Sequence, residues 1–199
     1  LKNYANKQGI RIIGDIPIYV AMDSADAWAN PSLFQLDEKN VPYAVAGCPP
    51  DGFSATGQLW GNPLYRWEYH RQTGYEWWLK RLSHCFKLYD AVRIDHFRGF
   101  DQYYSIPYGA EDATRGHWEQ GPGIDLFNRV RQVLGEKEVI AEDLGYVTDS
   151  VRKLVYDSGF PGMKVLEFAF DSRDSGCAND YLPHNYPENS VAYTGTHDN

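Results

Sequence analysis

Residues 10–20, IRIIGDIPIYV, form the most hydrophobic predicted strand of the chain. Their β-branched side chains run almost without interruption, which is typical of a strand buried on both faces of a parallel sheet. Asp15 interrupts the run, and a carboxylate inside a buried strand must be paired, hydrogen-bonded or functional. A helix end at residues 1–8 precedes the strand, and Gly9 separates the two. The stretch therefore predicts the first strand of an α/β fold.

Further strands are predicted near residues 91–95, 139–142, 163–170 and 190–195. Helical periodicity covers residues 75–89 and 123–134, and Thr148 is placed to cap a helix that Gly159 ends. Strands that alternate with helices indicate a parallel sheet, either open and doubly wound or closed into a barrel. Carboxylates at three separate strand ends favour the barrel, whose catalytic groups come from several strand ends around one mouth.

Residues 21–74 break this alternation. Pro, Gly, Asn and aromatic residues accumulate there, including PPDG at residues 49–52 and GNP at residues 61–63, which favour turns. A long stretch with little regular structure is usually functional in a compact domain. We therefore expect one domain over residues 1–199, a partial barrel with an irregular insertion at about residues 21–74 that forms part of the substrate cleft.

The composition argues against several classes of partner. The chain carries 19 Lys and Arg against 27 Asp and Glu, a net charge of −8, so neither nucleic acid nor an anionic membrane is an expected partner. No run approaches the roughly 20 apolar residues that span a bilayer. Cys48, Cys85 and Cys177 are widely spaced and include no C-x-x-C pair, which indicates neither a disulfide framework nor a zinc site. A reducing, cytoplasmic location is expected.

Three carboxylates follow predicted strands in succession. Asp95 lies in VRIDHFRG, Glu142 in AEDLG and Asp198 in TGTHDN. The intervals between them are long enough for one or two βα crossovers, so all three can converge on one cavity. Close carboxylates can divide ionised and protonated states between them, and retaining glycoside chemistry uses that division with two groups roughly 5 Å apart.

Two further side chains, Arg93 and His197, belong to the same motifs. Arg93 lies two residues before Asp95, hence on the same strand face, where its charge would favour the ionised carboxylate. A structural Arg–Asp pair is the simpler alternative. His197 precedes Asp198 and could donate to a ligand oxygen. The other histidines show no metal-ligand spacing, so no metal site is expected, and the absence of a Gly-rich phosphate loop argues against a nucleotide enzyme.

Six blocks, in order along essentially the whole chain, resemble the 4-α-glucanotransferases called amylomaltases or disproportionating enzymes, relatives of the α-amylases. The blocks are GDIPIYV, PPDGFSATGQLWGNPLY, VRIDHFRG, AEDLG, PGMKVLEFAF and TGTHDN. The resemblance implies a (β/α)8 TIM barrel, of which this chain covers about strands 3 to 7. It also implies retaining transfer of 1,4-α-glucan segments through a covalent glucosyl-enzyme, without a cofactor. The expected partners are α-1,4-glucans and maltooligosaccharides, with glucose as an acceptor.

The resemblance also implies individual roles. Asp95 would be the nucleophile, Glu142 the general acid and then the base, and Asp198 a transition-state stabiliser that holds sugar hydroxyls. A loop at residues 49–63 would cover the cleft and offer two aromatic platforms for glucose faces, Phe53 and Trp60. The residues expected to bind substrate are Asp15, Asp51, Phe53, Trp60, Asn62, Arg93 and His197.

Two other functions remain open, an α-amylase-type hydrolase that shares the carboxylates and a catalytically silent glucan-binding relative. The intact carboxylates argue against the silent relative. A complete barrel has eight strands and usually at least about 200 residues, whereas five strands are predicted here. We therefore expect this chain to be one portion of a longer polypeptide.

Overall fold

The computed structural model describes residues 1–52, 54–145, 147–170 and 179–197. In these ranges the helices are α1 (Lys2–Lys7), α2 (Ala25–Ala29), α3 (Trp67–Gln72), α4 (Glu76–Leu88), α5 (Ile124–Leu134) and α6 (Asp149–Ser158). The strands are β1 (Ile13–Ile16), β2 (Ala44–Cys48), β3 (Gln58–Pro63), β4 (Ala91–Ile94), β5 (Gln102–Pro107), β6 (His117–Gln120), β7 (Val139–Ala141), β8 (Gly162–Val165) and β9 (Ser190–Tyr193). Short 3₁₀ turns lie at Pro31–Leu33, Phe97–Phe100, Leu166–Phe170 and Pro183–Asn185.

One sheet is entirely parallel, with the order β1-β4-β7-β8-β9. Its strand order follows the chain without a reversal. Asp15 pairs in register with Arg93, and Ile94 pairs with Ala141, so β1, β4 and β7 end side by side. The residues that follow these strands therefore leave the sheet at the same edge.

A second sheet is antiparallel, with the order β3-β2-β5-β6. Its β2–β3 hairpin shifts register between Val45 and Gly47, and a Cβ on Gly47 would lie 2.1 Å from the carbonyl oxygen of Gln58. Glycine is therefore required where the two backbones approach. The sheet buries a small apolar cluster of its own, which contains Val45, Tyr104, Ile106 and Ala113.

The main core joins the parallel sheet to its helices. Helices α4 and α5 bury one apolar face each, and the ring of Phe97 stacks on that of Phe127 at 4.9 Å. The core residues of these helices are Trp78, Leu82, Cys85, Leu126, Phe127 and Val130. In the described part of the chain, no helix combines the length and the apolar composition needed to cross a membrane.

Several elements confirm the sequence-based expectations. Helices α4 and α5 and strands β4, β7 and β9 lie where periodicity placed them. The hydroxyl of Thr148 accepts a hydrogen bond from the N–H of Val151, and Gly159 ends α6 with φ 72° in the left-handed region. Local sequence signals are enough to locate these elements, because the helix caps and the apolar periodicity agree with the tertiary packing.

Two predicted strands were too long. The run at residues 10–20 contains only the strand Ile13–Ile16, which ends before Pro17, a residue with no N–H to donate to a ladder. The predicted strand at residues 163–170 is instead Gly162–Val165 followed by the 3₁₀ turn Leu166–Phe170. A continuous apolar run does not by itself distinguish a strand from a tight turn.

The expectation of an irregular segment at residues 21–74 was wrong as regards regular structure. The segment contains α2, β2, β3 and α3, and β5 and β6 of the same antiparallel sheet were missed altogether. Strand β2 pairs with β5, which lies far away in sequence. The residues next to β2 in the chain therefore carry little information about whether it forms a strand.

We expect Leu82→Ala in α4 to lower the free energy of unfolding by about 2–5 kcal/mol, because Leu82 is 1% exposed and its removal leaves a cavity. Leu88→Ala in the same helix is the matched control. Leu88 is 47% exposed, and its replacement should change stability by no more than about 0.5 kcal/mol. Urea denaturation of the two variants measures the difference, and equal losses would contradict the assigned core.

Candidate active site

Arg93 of β4 lies at the centre of the charged edge of the parallel sheet. Its side chain is 9% exposed; Nη1 donates to Oδ2 of Asp15 at 2.7 Å, and Nη2 lies 3.0 Å from Oδ1 of Asp95. Nε donates to Sδ of Met163 at 3.2 Å. Burial opposes the charge, but the hydrogen bond with Asp15 and the charges of Asp15, Asp95 and Glu142 raise the pKa of Arg93. One guanidinium thus holds two carboxylates from neighbouring strands.

The chain leaves β4 through a sharp turn. The N–H of Asp95 donates to the carbonyl of Ile16 at 2.9 Å, which keeps Asp95 beside the end of β1. His96 then has φ 51° and ψ 49°, a left-handed conformation that costs about 1–3 kcal/mol for a residue with a Cβ. The turn directs two successive N–H groups at Glu142: that of His96 donates to Oε2 at 2.6 Å, and that of Phe97 to the carbonyl oxygen at 2.9 Å.

Glu142 follows β7 and lies beside this turn. Its Oε1 accepts a second hydrogen bond, from the N–H of Leu144 at 2.9 Å. Burial raises the pKa of Glu142 to about 7; the charge of Asp95 adds to the rise, while the N–H groups of Leu144 and His96 and the charge of Arg93 oppose it. A carboxyl with a pKa near 7 can give and take a proton at neutral pH.

Asp143 was not singled out from the sequence, although it stands next to Glu142 in AEDLG. Its Oδ1 accepts a hydrogen bond from the N–H of Met163 at 2.8 Å, and burial raises its pKa. A Cβ on Gly162 would lie 2.6 Å from Oδ2 of Asp143. Asp143 therefore joins the end of β7 to the start of β8, where Gly162 leaves room for its carboxylate.

The β2–β3 hairpin lies against the same edge. The ring of Trp60 meets that of His96 edge-on at 4.8 Å between centroids and lies 6.2 Å from the ring of Tyr19. Nδ2 of Asn62 donates to the carbonyl of Val20 at 2.9 Å. These contacts hold β3 against the segment that follows β1. Trp60 remains 37% exposed and can present part of its ring to a ligand.

Asp51 lies in the turn of this hairpin. Its Oδ1 accepts a hydrogen bond from the N–H of Ser54 at 2.8 Å. Burial raises the pKa of the Cys48 thiol to about 12; Arg98 opposes the rise, and the charges of Asp51, Glu142 and Asp95 add to it. The end of β2 therefore interacts electrostatically with Asp51 in the hairpin turn and with the carboxylates of Asp95 and Glu142.

The sequence-predicted residues have different outcomes. Arg93 contacts both Asp15 and Asp95. Glu142 lies beside the turn that follows Asp95. Trp60 and Asn62 lie on the β2–β3 hairpin, which packs against the same edge of the sheet. His197 is exposed after β9, and Asp198 and Phe53 lie outside the described residues. Sequence reasoning missed Tyr19, His96 and Asp143, which act through packing or backbone geometry. Among the described residues, no group of three or more His, Cys, Asp or Glu side chains is placed to hold a metal ion.

Residues 1–199 match the model of a protein family described as 4-alpha-glucanotransferase. The chain belongs to this family. As a 4-alpha-glucanotransferase family member, it is similar to the 4-alpha-glucanotransferase of Clostridium butyricum, with 55% identity over 200 residues, 100% of this chain and 40% of that protein. The chloroplastic/amyloplastic 4-alpha-glucanotransferase of Solanum tuberosum is 48% identical over 199 residues, 34% of its length. The chain thus spans about two fifths of these relatives or less.

Two solved structures of amylomaltases are similar to this chain. Amylomaltase from Streptococcus agalactiae, in complex with acarbose, has a TM-score of 0.95 and 48% identity, and the match covers 100% of this chain and 40% of that one. Amylomaltase from Corynebacterium glutamicum has a TM-score of 0.82 and 23% identity, over 99% of this chain and 27% of that one, which supports the fold.

We expect Arg93→Lys to lower the free energy of unfolding by about 1–3 kcal/mol, because an ammonium cannot hold both carboxylates in the geometry of the fork. Arg11→Lys is the control, since Arg11 forms an ion pair with Glu138 but both side chains are more than half exposed. It should cost less than about 0.5 kcal/mol. Thermal and urea denaturation compare the two, and equal effects would argue that Arg93 is not the link between β1 and β4.

Proposed function

We propose that the protein containing this chain transfers segments of α-1,4-glucan to an acceptor glucose or glucan by a retaining double displacement. The observation that carries the proposal is the contrast between two neighbouring carboxylates. Asp95 is ion-paired with Arg93, whereas Glu142 is partly buried and has a pKa of about 7. One can act as a nucleophile and the other as a proton donor. Family membership supports transfer, and the acarbose complex of the streptococcal amylomaltase supports a maltooligosaccharide-like ligand.

In the first step, a carboxylate oxygen of Asp95 forms a bond to the anomeric carbon of the donor. The bond to the leaving 4-oxygen breaks, and Glu142 gives that oxygen its proton. In the second step, ionised Glu142 takes the proton of an acceptor 4-hydroxyl. The acceptor oxygen then bonds to the anomeric carbon, and Asp95 leaves as a carboxylate. No electron carrier or metal enters this balance.

The other predicted residues have supporting roles in the proposal. Arg93 and His197 bind the sugar next to the scissile bond, Asp15 lies near it, and Asp198 stabilises the transition state. Phe53 and Trp60 stack on glucose faces, and Asp51 and Asn62 complete the hairpin side of the cleft. The exposed part of the Trp60 ring supports this assignment.

We also propose that the parallel strands are about strands 3 to 7 of a (β/α)8 barrel, with residues 1–199 in one domain. The strand order supports this assignment, because it has no reversal of the kind that defines a doubly wound sheet. Residues 21–74 then form part of the cleft at the carboxyl ends of the strands. The free thiols of Cys48 and Cys85 support a reducing, cytoplasmic location.

Maltotriose tests the function in the full-length protein. Transfer yields glucose together with a ladder of longer maltodextrins, whereas simple shortening indicates hydrolysis. Asp95→Asn should abolish turnover, because the amide is a poor nucleophile, and leave maltodextrin binding measurable by calorimetry. Turnover near the wild-type rate in Asp95→Asn would refute the assignment of the nucleophile. Binding without turnover in the unaltered protein would favour the silent glucan-binding relative.

The pH profile provides a separate prediction. The first step needs protonated Glu142, so kcat/KM for maltotriose should fall as the pH rises through about 7, the pKa of this carboxyl. A donor with fluoride as its leaving group, α-maltosyl fluoride, needs little protonation at departure. Its profile should lack this basic limb, and an identical limb with both donors would contradict the role of Glu142 as general acid.

A further inference from the structure

The turn after Asp95 contains a left-handed residue that is not glycine. His96 has φ 51° and ψ 49°, a region that Asn, Asp and His enter more often than other residues and that β-branched residues avoid. Its side chain is therefore expected to contribute something that glycine would not.

The His96 ring is held from several sides. Its centroid lies 4.8 Å from that of Trp60 and 6.4 Å from that of Tyr19, and a Cβ on Gly99 would lie 3.2 Å from its Cδ2. Nε2 is buried and has no hydrogen-bond partner within the described ranges. Burial, together with the charge of Arg98, lowers the pKa of His96 to about 3, so the ring is neutral at ordinary pH. It acts as a packing group rather than as a proton carrier.

The backbone of this turn encloses Glu142. The N–H of Glu142 donates to the carbonyl of Ile94 at 3.1 Å, and the N–H groups of His96 and Phe97 donate back to its side chain and main chain. The N–H of the left-handed residue thus binds the carboxylate of Glu142, while the N–H of the next residue binds the main-chain carbonyl of the same glutamate. Both ends of the turn are anchored, by the N–H of Asp95 to Ile16 and by the N–H of Phe97 to Glu142, so a change of φ at His96 must be compensated in the peptide that carries its N–H.

We propose that His96 is a positioning residue: its ring, packed against Trp60 and Tyr19, locks the left-handed turn whose N–H holds Oε2 of Glu142. This inference rests on the proposed function, in which Glu142 is the acid and base. The hydrogen bond favours the ionised carboxylate and so opposes the rise caused by burial. The hairpin that carries Trp60 is thereby linked to the proton-transferring carboxyl through one side chain.

Other titratable groups also interact electrostatically with Glu142. Among the described residues they include Asp95 and Arg93 at the end of β4, the thiol of Cys48 at the end of β2, and the hydroxyl of Tyr181. Substitutions at His96 leave these groups in the chain. A change in the titration of Glu142 in such variants therefore reports on the turn.

The test is a titration of Glu142 in the full-length protein without substrate. Glutamate labelled with ¹³C at the carboxyl carbon is followed by NMR, and Glu142→Gln identifies the resonance. His96→Val disfavours the left-handed turn, so the midpoint should move to higher pH, and kcat with maltotriose should fall on the order of tenfold or more. His96→Asn tolerates the left-handed conformation but lacks the ring, so its midpoint should lie between those of the wild type and His96→Val.

Controls separate the turn from general instability. Asn40 is also left-handed, with φ 61°, but it is exposed and outside the site, so Asn40→Val should leave the Glu142 midpoint unchanged. If His96→Val does not fold, as judged by thermal melting, His96→Ala should shift the midpoint in the same direction. An unchanged midpoint in the folded variant, or a wild-type midpoint in the ring-less His96→Asn, would overturn the proposal. Because no substrate is present, a wild type without transferase activity would refute only the proposed function.

Discussion

The ion pairs of Arg93 are the interaction on which the rest of the site depends. They connect β1 to β4 at the level where both strands end, and they fix two carboxylates around one buried guanidinium. A cation at this depth is stable only because both partners are present, and the partly exposed carboxylates keep contact with solvent. The remaining features, including the turn after Asp95 and the partly buried Glu142, are arranged around this fixed charge.

Asp95 and Glu142 differ chemically because their immediate surroundings differ. Asp95 has a cation 3.0 Å away, whereas Glu142 is partly buried and accepts hydrogen bonds from two N–H donors. Burial outweighs the donors and leaves a carboxyl that can be protonated at neutral pH. Asp143, one residue further, serves a structural purpose with the same functional group. Neighbouring acids in AEDLG thus differ in role because their side chains point to different partners.

The sequence predicted the elements that depend on neighbouring residues. Apolar runs located the parallel strands, Thr148 and Gly159 marked the limits of α6, and acids at strand ends indicated where chemistry would lie. It did not predict the antiparallel sheet, because the partners of β2 are set by distant residues and its hairpin is rich in glycine and turn formers. It also missed His96, whose contribution depends on a backbone angle and on the ring of Trp60. Family resemblance, rather than spacing, distinguished the roles of the three carboxylates.

The antiparallel sheet is joined to the site by a short connection in the chain after Asp95. Only the 3₁₀ turn Phe97–Phe100 and one further residue separate the site from β5, and the rings of Phe97 and Phe100 are completely buried. These two rings anchor the turn to the core, which makes it a poor hinge. In the proposed function, a glucan that reaches the carboxylates would therefore pass along the surface of this sheet rather than be enclosed by its movement.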